Sequence, residues 1–201
     1  MCAMYRATES KRRKEIMDAA SKVILEKGLE KTTMEDIIAG TSLSKGGVYH
    51  YYGSVIDIFK DIMLQGIAYR DDVMRQHAAA DVHQQNPQAF LARELVSKIV
   101  DDNPYMPLYV EFLIAQNRNP DLKDLMTVLQ DQTLAAFKNW MRPLPAWVTD
   151  QDAFQFVADF MNACILASNV LAARDQFIKN REILEKMMMC LFEAMASKVD
   201  D

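Results

Sequence analysis

The run Ser44-Lys45-Gly46-Gly47-Val48-Tyr49-His50-Tyr51-Tyr52 sets a hydroxyl, an ammonium, three phenols and an imidazole on nine consecutive residues. Three tyrosines are too many aromatics for one face of a short core helix, and glycines at 46 and 47 are poor helix formers. The chemistry on offer is recognition: polar tips on aromatic bodies, with two positions lacking a Cβ where another surface can come close. Bond-making chemistry has no comparable cluster. An enzyme would need a nucleophile with its base, or convergent metal ligands. His77 and His83 stand six apart with no second pair to complete a metal site, and no glycine-rich phosphate loop follows a strand. The expectation is a chain that is not an enzyme and uses no metal or cofactor.

The elements that must position this run read as helices. Ile16, Ala19, Ala20, Val23 and Ile24 recur at helical spacing before a C-capping Gly28, which predicts a helix over 9–27. Thr33 is placed as an N-cap with Asp36 as its capping-box carboxylate, opening two turns that end near Gly40. Ser44 caps a third, short helix over 45–51, which Gly53 breaks; Ser54 with Asp57 starts a fourth, over 54–79. Pro87, Pro104 and Pro120 start helices ending near 102, near 117 and before Pro143, with Pro107 still in a first turn. Thr149 or Asp150 caps 151–174, and 176–198 is last. No repeat or strand-like alternation interrupts this series. The fold class predicted is all-α, with about nine helices.

Half of the 201 residues are apolar and a quarter charged, enough for a full core. Residues 1–60 hold 10 basic and 8 acidic side chains, whereas the other 141 residues hold 13 and 20. An acidic body with a basic end suits a chain that meets an anionic polymer at one end, although a charge run such as 11–14 is also an ordinary solvated helix face. The three cysteines, Cys2, Cys164 and Cys190, are odd in number and widely spaced, as expected of a reduced compartment. No apolar stretch reaches membrane-spanning length and residues 1–21 lack a signal-like run, so a cytoplasmic chain is expected.

Two short helices joined by a turn form a helix-turn-helix, here 33–40, 41–43 and 44–52. In that arrangement the second helix enters the major groove. Its N-terminal amides and the Ser44 hydroxyl meet a phosphate, and Lys45 meets a phosphate or guanine acceptors. Gly46 and Gly47 let the backbone approach the duplex, and Tyr49, His50 and Tyr51 face phosphates and base edges. Val48 and Tyr52 pack inward against Ile37, Ile38 and the first helix. An aromatic-rich packing helix in a bundle would show the same spacing.

The stretch TTMEDIIAGTSLSKGGVYHYYGS, preceded by IMDAASKVILEKG, resembles the N-terminal DNA-binding domain of the tetracycline-repressor (TetR) family, over residues 11–59. The resemblance implies a three-helix DNA-binding domain over 1–53 and a larger helical ligand-binding and dimerisation domain over 54–201. It implies phosphate contacts from Thr33 and Tyr51, groove and backbone contacts from Lys45, Gly46 and Tyr49, and base reading by His50. Tyr52 stands where the family carries a core Phe. Two departures stand out. The turn reads Thr41-Ser42-Leu43 without the family's glycine, and the fourth helix opens Ser54-Val55-Ile56 without its phosphate-binding lysine. The basic 6–14 segment is a candidate for compensating that loss.

The implied partners are a double-stranded DNA operator, a second copy of the chain docked through 151–174 and 176–198, and a small-molecule effector. Tyr105, Tyr109, Phe112, Trp140 and Phe160 make an aromatic set for a hydrophobic ligand, with Gln116 and Asn162 to orient it and Glu111 to favour a cation. Simple core filling accounts for the aromatics equally well, and an Arg partner for Glu111. The segment 104–120 reads as a helix buried on every side. Gln155, Asp159, Asn162 and Asn169 form a polar stripe that suits a wet cavity, solvent or a dimer seam. A ligand-independent regulator and a helical small-molecule carrier are the competing classes; only DNA binding explains 44–52 beside a basic segment.

Overall fold

The computed structural model describes the backbone of residues 2–80, 86–140 and 144–200, and the side chains of these except 2–7, 139, 140, 199 and 200. His83 and the side chain of Trp140 therefore lie outside the described residues. Every regular element described is helical: α1 Cys2–Lys27, α2 Met34–Ala39, α3 Lys45–Tyr49, α4 Val55–Ala80, α5 Pro87–Val100, α6 Met106–Ala115, α7 Lys123–Trp140, α8 Ala146–Thr149, α9 Gln151–Asn169, α10 Arg174–Lys179 and α11 Arg181–Asp200, with 3-10 turns at Leu29–Lys31 and Pro120–Leu122. None of the described helices is long and apolar enough to cross a membrane.

The helices sort into two compact units. One holds the residues up to Ala68 together with Tyr105–Leu129; the other holds Tyr69–Pro104 and the chain from Gln130 onward. In the first, Ile16, Ala20 and Ile24 repeat every four residues along α1 and are buried, as are Ile37, Val48, Ile58, Phe59 and Ile62. Phe59 meets Phe112 of α6 with ring centroids 6.5 Å apart. Each such side chain stabilises the fold by about 1.5–3 kcal/mol relative to an exposed position. α6 is not buried all round: Pro107 and Ile114 share an exposed strip, while Met106, Leu108, Phe112, Leu113 and Ala115 are buried.

In the second unit, α9 buries Ala153, Val157, Met161 and Ile165 at spacings of four. Its N-terminus is capped by Asp150, whose Oδ1 accepts from the Ala153 N–H at 2.8 Å. Trp147 stacks on Phe192 of α11 at 4.6 Å, and the short helix α8 exists to present it. A buried ionic cluster links α4 to α5. Arg70 Nη2 donates to Glu94 Oε2 at 2.8 Å, and His77 Nδ1 lies 2.7 Å from Glu94 Oε1.

The described residues form eleven α-helices where about nine were expected. The extra elements are α8 and α10, and α9 ends at Asn169 rather than running to 174. The stop comes at Ala172, which takes a left-handed φ of 57°. Beyond it, Arg174 donates from Nε and Nη2 to the Val100 carbonyl at 3.0 and 2.9 Å, and to Asp102 at 2.6 Å. Arg181 is held by Asp101 at 3.0 Å and by Ser97 at 2.5 Å. Arg174 thus satisfies a carbonyl at the carboxyl end of α5, where carbonyls lack helical partners, and Arg181 adds a second cation through the Ser97 and Asp101 side chains there.

Candidate nucleic-acid interface

The geometry of 33–52 is assembled by caps. The Thr33 hydroxyl accepts from the Asp36 N–H at 3.2 Å while Asp36 Oδ2 accepts from the Thr33 N–H at 2.9 Å, a complete capping box. Lys27 at the end of α1 pairs with the same carboxylate. Lys27 and the Thr33 hydroxyl together hold the Asp36 carboxyl down at about 2. Gly40 ends α2 against α1: a Cβ there would lie 3.2 Å from the Ala19 Cβ, so glycine permits the close approach.

The turn 41–43 is tied back to α1. The Ser42 N–H donates to Glu15 Oε1 at 2.6 Å, and Arg12 Nη1 donates to the Ser42 hydroxyl at 3.2 Å. No residue of this turn takes a positive φ, since among the described residues only Gly28 and Ala172 do. The absent glycine is therefore no loss to the backbone.

Ser44 caps α3 by accepting from the Gly47 N–H at 3.2 Å. The two glycines differ in role. A Cβ on Gly47 would lie 3.3 Å from the Ser44 Oγ and 3.6 Å from the Leu43 Cβ, so Gly47 serves the cap; a Cβ on Gly46 would meet nothing. Val48 is fully buried, whereas Ser44, Lys45, Gly46, Tyr49 and His50 are exposed and Tyr51 is half-buried. α3 is shorter than expected, with His50 as its C-cap. Thr33 is exposed at the start of α2.

Tyr52 is buried as a core residue, but its hydroxyl is satisfied: it donates to Asp61 Oδ2 at 2.8 Å. Arg13 lies over the same ring at 5.0 Å and over Tyr51 at 5.7 Å, and reaches Asp61 at 3.4 Å. Burial, reinforced by the Asp61 bond, pushes the Tyr52 phenol up to about 12. The basic segment is thus largely committed within the chain. Arg12 pairs with Glu15 at 3.1 Å, Arg13 with Asp61, and Lys14 with Asp18 at 3.1 Å. Val55 is half-buried and offers no donor in place of the missing lysine.

The residues expected around a ligand are divided between the units. Tyr105, Tyr109, Glu111, Phe112 and Gln116 belong to the first, Phe160 and Asn162 to the second. Tyr105 packs against Gly66, where a Cβ would come within 3.2 Å of its own, and its hydroxyl donates to Gln65 Oε1 at 3.4 Å. Tyr109 and Phe112 have ring centroids 6.0 Å apart. The Gln116 amide donates to the Leu113 carbonyl at 3.4 Å.

Glu111 meets neither a cation nor an arginine in this set. Its Oε1 accepts from the Leu29 N–H at 2.7 Å, an amide that opens the turn after α1 and has no helical partner. The neighbouring arginine, Arg118, is 3.9 Å from Glu30 instead. Of the polar stripe on α9, Gln155, Asp159 and Asn169 are exposed, and Gln155 donates to Asp159 at 3.0 Å. Sequence reasoning missed Glu15, Glu35 and Asp61, and noted Arg12 and Arg13 only as part of a basic run. Their partners lie 10 to 48 residues away, except for pairs within one helix, and no local pattern marks them.

A helix-turn-helix with one side buried and the other exposed defines a DNA-binding protein of the transcription-regulator class. Residues 16–62 match the family model described as Bacterial regulatory proteins, tetR family. The HTH-type transcriptional regulator YfiR of Bacillus subtilis is 28% identical over 176 residues, covering 86% of this chain and 80% of that protein. The HTH-type transcriptional repressor BepR of Brucella suis is 27% identical over 94 residues, 47% of this chain and 44% of that one. In fold, the chain is similar to Salmonella enterica GusR, with a TM-score of 0.69 at 18% identity over 91% of this chain and 96% of that chain. Over residues 16–62 the chain thus carries the DNA-binding region of the tetR-type bacterial regulatory proteins.

Proposed function

We propose that the protein is a homodimeric repressor that binds a palindromic operator through Ser44, Lys45, Gly46, Tyr49 and His50, with Thr33 and Tyr51 on flanking phosphates, and that a small apolar or aromatic ligand releases it. The observation that carries the DNA contact is the division of α3: Val48 is fully buried while Lys45, Tyr49 and His50 are exposed together. A helix so held presents polar groups in one direction without using them in packing. Gly47 belongs to the cap of this helix rather than to the contact.

One helix-turn-helix makes few base contacts, so two-fold symmetry is the economical route to specificity. Exposed Ile183 and Met187 on α11 and exposed Phe156 on α9 support docking of a second copy through these helices. Release requires a ligand with different affinity for the DNA-binding and the released states. Tyr105, Tyr109 and Phe112 are the aromatic residues proposed to sense it in the unit that carries the helix-turn-helix.

Selection of bound duplexes from a random library tests the reading. An enriched inverted repeat bound by one dimer is the expected result. Recovery of no duplex, or of direct half-sites bound by a monomer, would refute it. Thermal-shift screening of fatty acids, neutral aromatics and lipophilic cations tests the effector: a hit raises the melting temperature by mass action and releases DNA over the same concentration range.

A further inference from the structure

The exposed face of the helix-turn-helix contains one carboxylate that its proposed role does not use. Glu35, in the first turn of α2, places Oε1 3.2 Å from Nζ of Lys45, the first residue of α3. Both side chains are largely open, at 67% and 68% exposure, so neither is held there by packing. The same ammonium lies 5.8 Å from the centroid of the Tyr49 ring. Lys45 therefore sits between an acid and an aromatic face, on the surface proposed to meet the duplex. The bond from its own backbone N–H, and then the bond from Lys45, hold the Glu35 carboxyl below the usual range, so it is ionised at neutral pH.

From this arrangement we infer that Glu35 is a specificity-determining residue that occupies Lys45 as a phosphate would, and so weakens binding to any duplex whose sequence does not set a base-edge amino group within reach of its carboxylate. This rests on the DNA-binding role proposed for Lys45. A phosphate must take Lys45 from a carboxylate, an exchange of one anion for another with little net gain in Coulomb energy. The displaced carboxylate then faces a polyanion. Every base pair carries one major-groove amino group, N6 of adenine or N4 of cytosine, and only a sequence that sets it at the position and on the strand Glu35 reaches gives the carboxylate a donor in return. The sequence-independent part of binding, which comes from phosphate neutralisation, is thereby held down while the specific part is kept.

The test uses a mixed-sequence duplex and four full-length proteins: wild type, Glu35→Gln, Lys45→Gln and the double variant. Glutamine matches glutamate in size and puts a shorter, neutral side chain in place of lysine, and both positions are exposed, so the fold is retained. Fluorescence anisotropy should show Glu35→Gln binding about two- to five-fold tighter, the range expected for freeing one exposed ion pair. Its log affinity should also fall more steeply with log salt, by close to one phosphate contact, a slope change of about 0.9. In the Lys45→Gln background the gain should vanish, because the coupling acts through that ammonium. Unchanged or weaker binding by Glu35→Gln overturns the inference. So does an equal gain in both backgrounds, which would mark general repulsion from the duplex. Wild type and all variants failing to bind DNA would remove the DNA-binding role itself.

Discussion

The Tyr52 hydroxyl donates to Asp61 Oδ2 at 2.8 Å beneath the guanidinium of Arg13, which lies 5.0 Å from the ring centroid. This pair joins the end of the DNA-facing segment to α4, and Arg13 brings in α1. Tyr52→Phe keeps the ring and removes one bond, so it should cost about 1 kcal/mol. Because burial pushes the folded phenol up to about 12 from its ordinary value of 10.0, its contribution is fully present below pH 10 and is lost as pH rises towards 12. Urea melts of wild type and Tyr52→Phe should therefore converge across that window. A difference that persists at its high end would deny the Asp61 bond its role.

Lys45→Ala and Tyr49→Ala should each weaken operator binding while leaving helix content and dimerisation unchanged, since both side chains are exposed. Gel shift beside circular dichroism measures the two effects separately. Lys45→Ala should cost affinity on every sequence if its contact is a phosphate, whereas loss of a base contact costs about 1–3 kcal/mol at one position.

Glu111→Ala leaves the Leu29 N–H without its acceptor and should destabilise the fold by about 1–3 kcal/mol in a denaturant melt. Glu111→Gln retains a carbonyl oxygen and should recover most of that loss. Gly28, next to this amide, has a φ of 85°, so Gly28→Ala should also destabilise through backbone strain.

Lys98 on α5 loses solvent on folding and lies near the charge of Arg70, which together pull its ammonium down to about 8. A lysine depressed in the folded state is penalised below that pH, and the penalty is relieved as pH rises from 8 to about 10.4, the unfolded value. Lys98→Met should be more stable than wild type at pH 7, on the order of 1–3 kcal/mol, with the advantage fading between those limits. Thermal melts of both proteins across the alkaline range would show it.

Ile183 and Met187 lie one turn apart on α11 and are both about half exposed. Replacing both by Glu should place like charges in the proposed seam and yield a monomer in light scattering after gel filtration, with the helical signal intact. A dimer that survives both substitutions would place the interface elsewhere.

What the sequence determined by itself is local. Thr33 with Asp36, Ser44, Asp150 and Gly28 each act within four residues, where an orphan N–H or a helix end must find a partner nearby. Spacing along α1 named Ile16, Ala20 and Ile24 as core because a helix face is a property of a few turns. Tertiary structure decided which charges remain for a partner. Arg12, Arg13 and Lys14 read as a basic run, yet the first two are held by Ser42 and Asp61, 30 and 48 residues away. Glu111 read as a buried carboxylate seeking a ligand, and it is satisfied by an amide 82 residues earlier. The sequence placed a break between 174 and 176; the helix ends earlier, at Asn169, with Ala172 left-handed and neither proline nor glycine there to announce it. The earlier break arises because Arg174 is needed at the Val100 carbonyl and Arg181 at Asp101, a demand set by where α5 ends in space rather than by any residue beside the break.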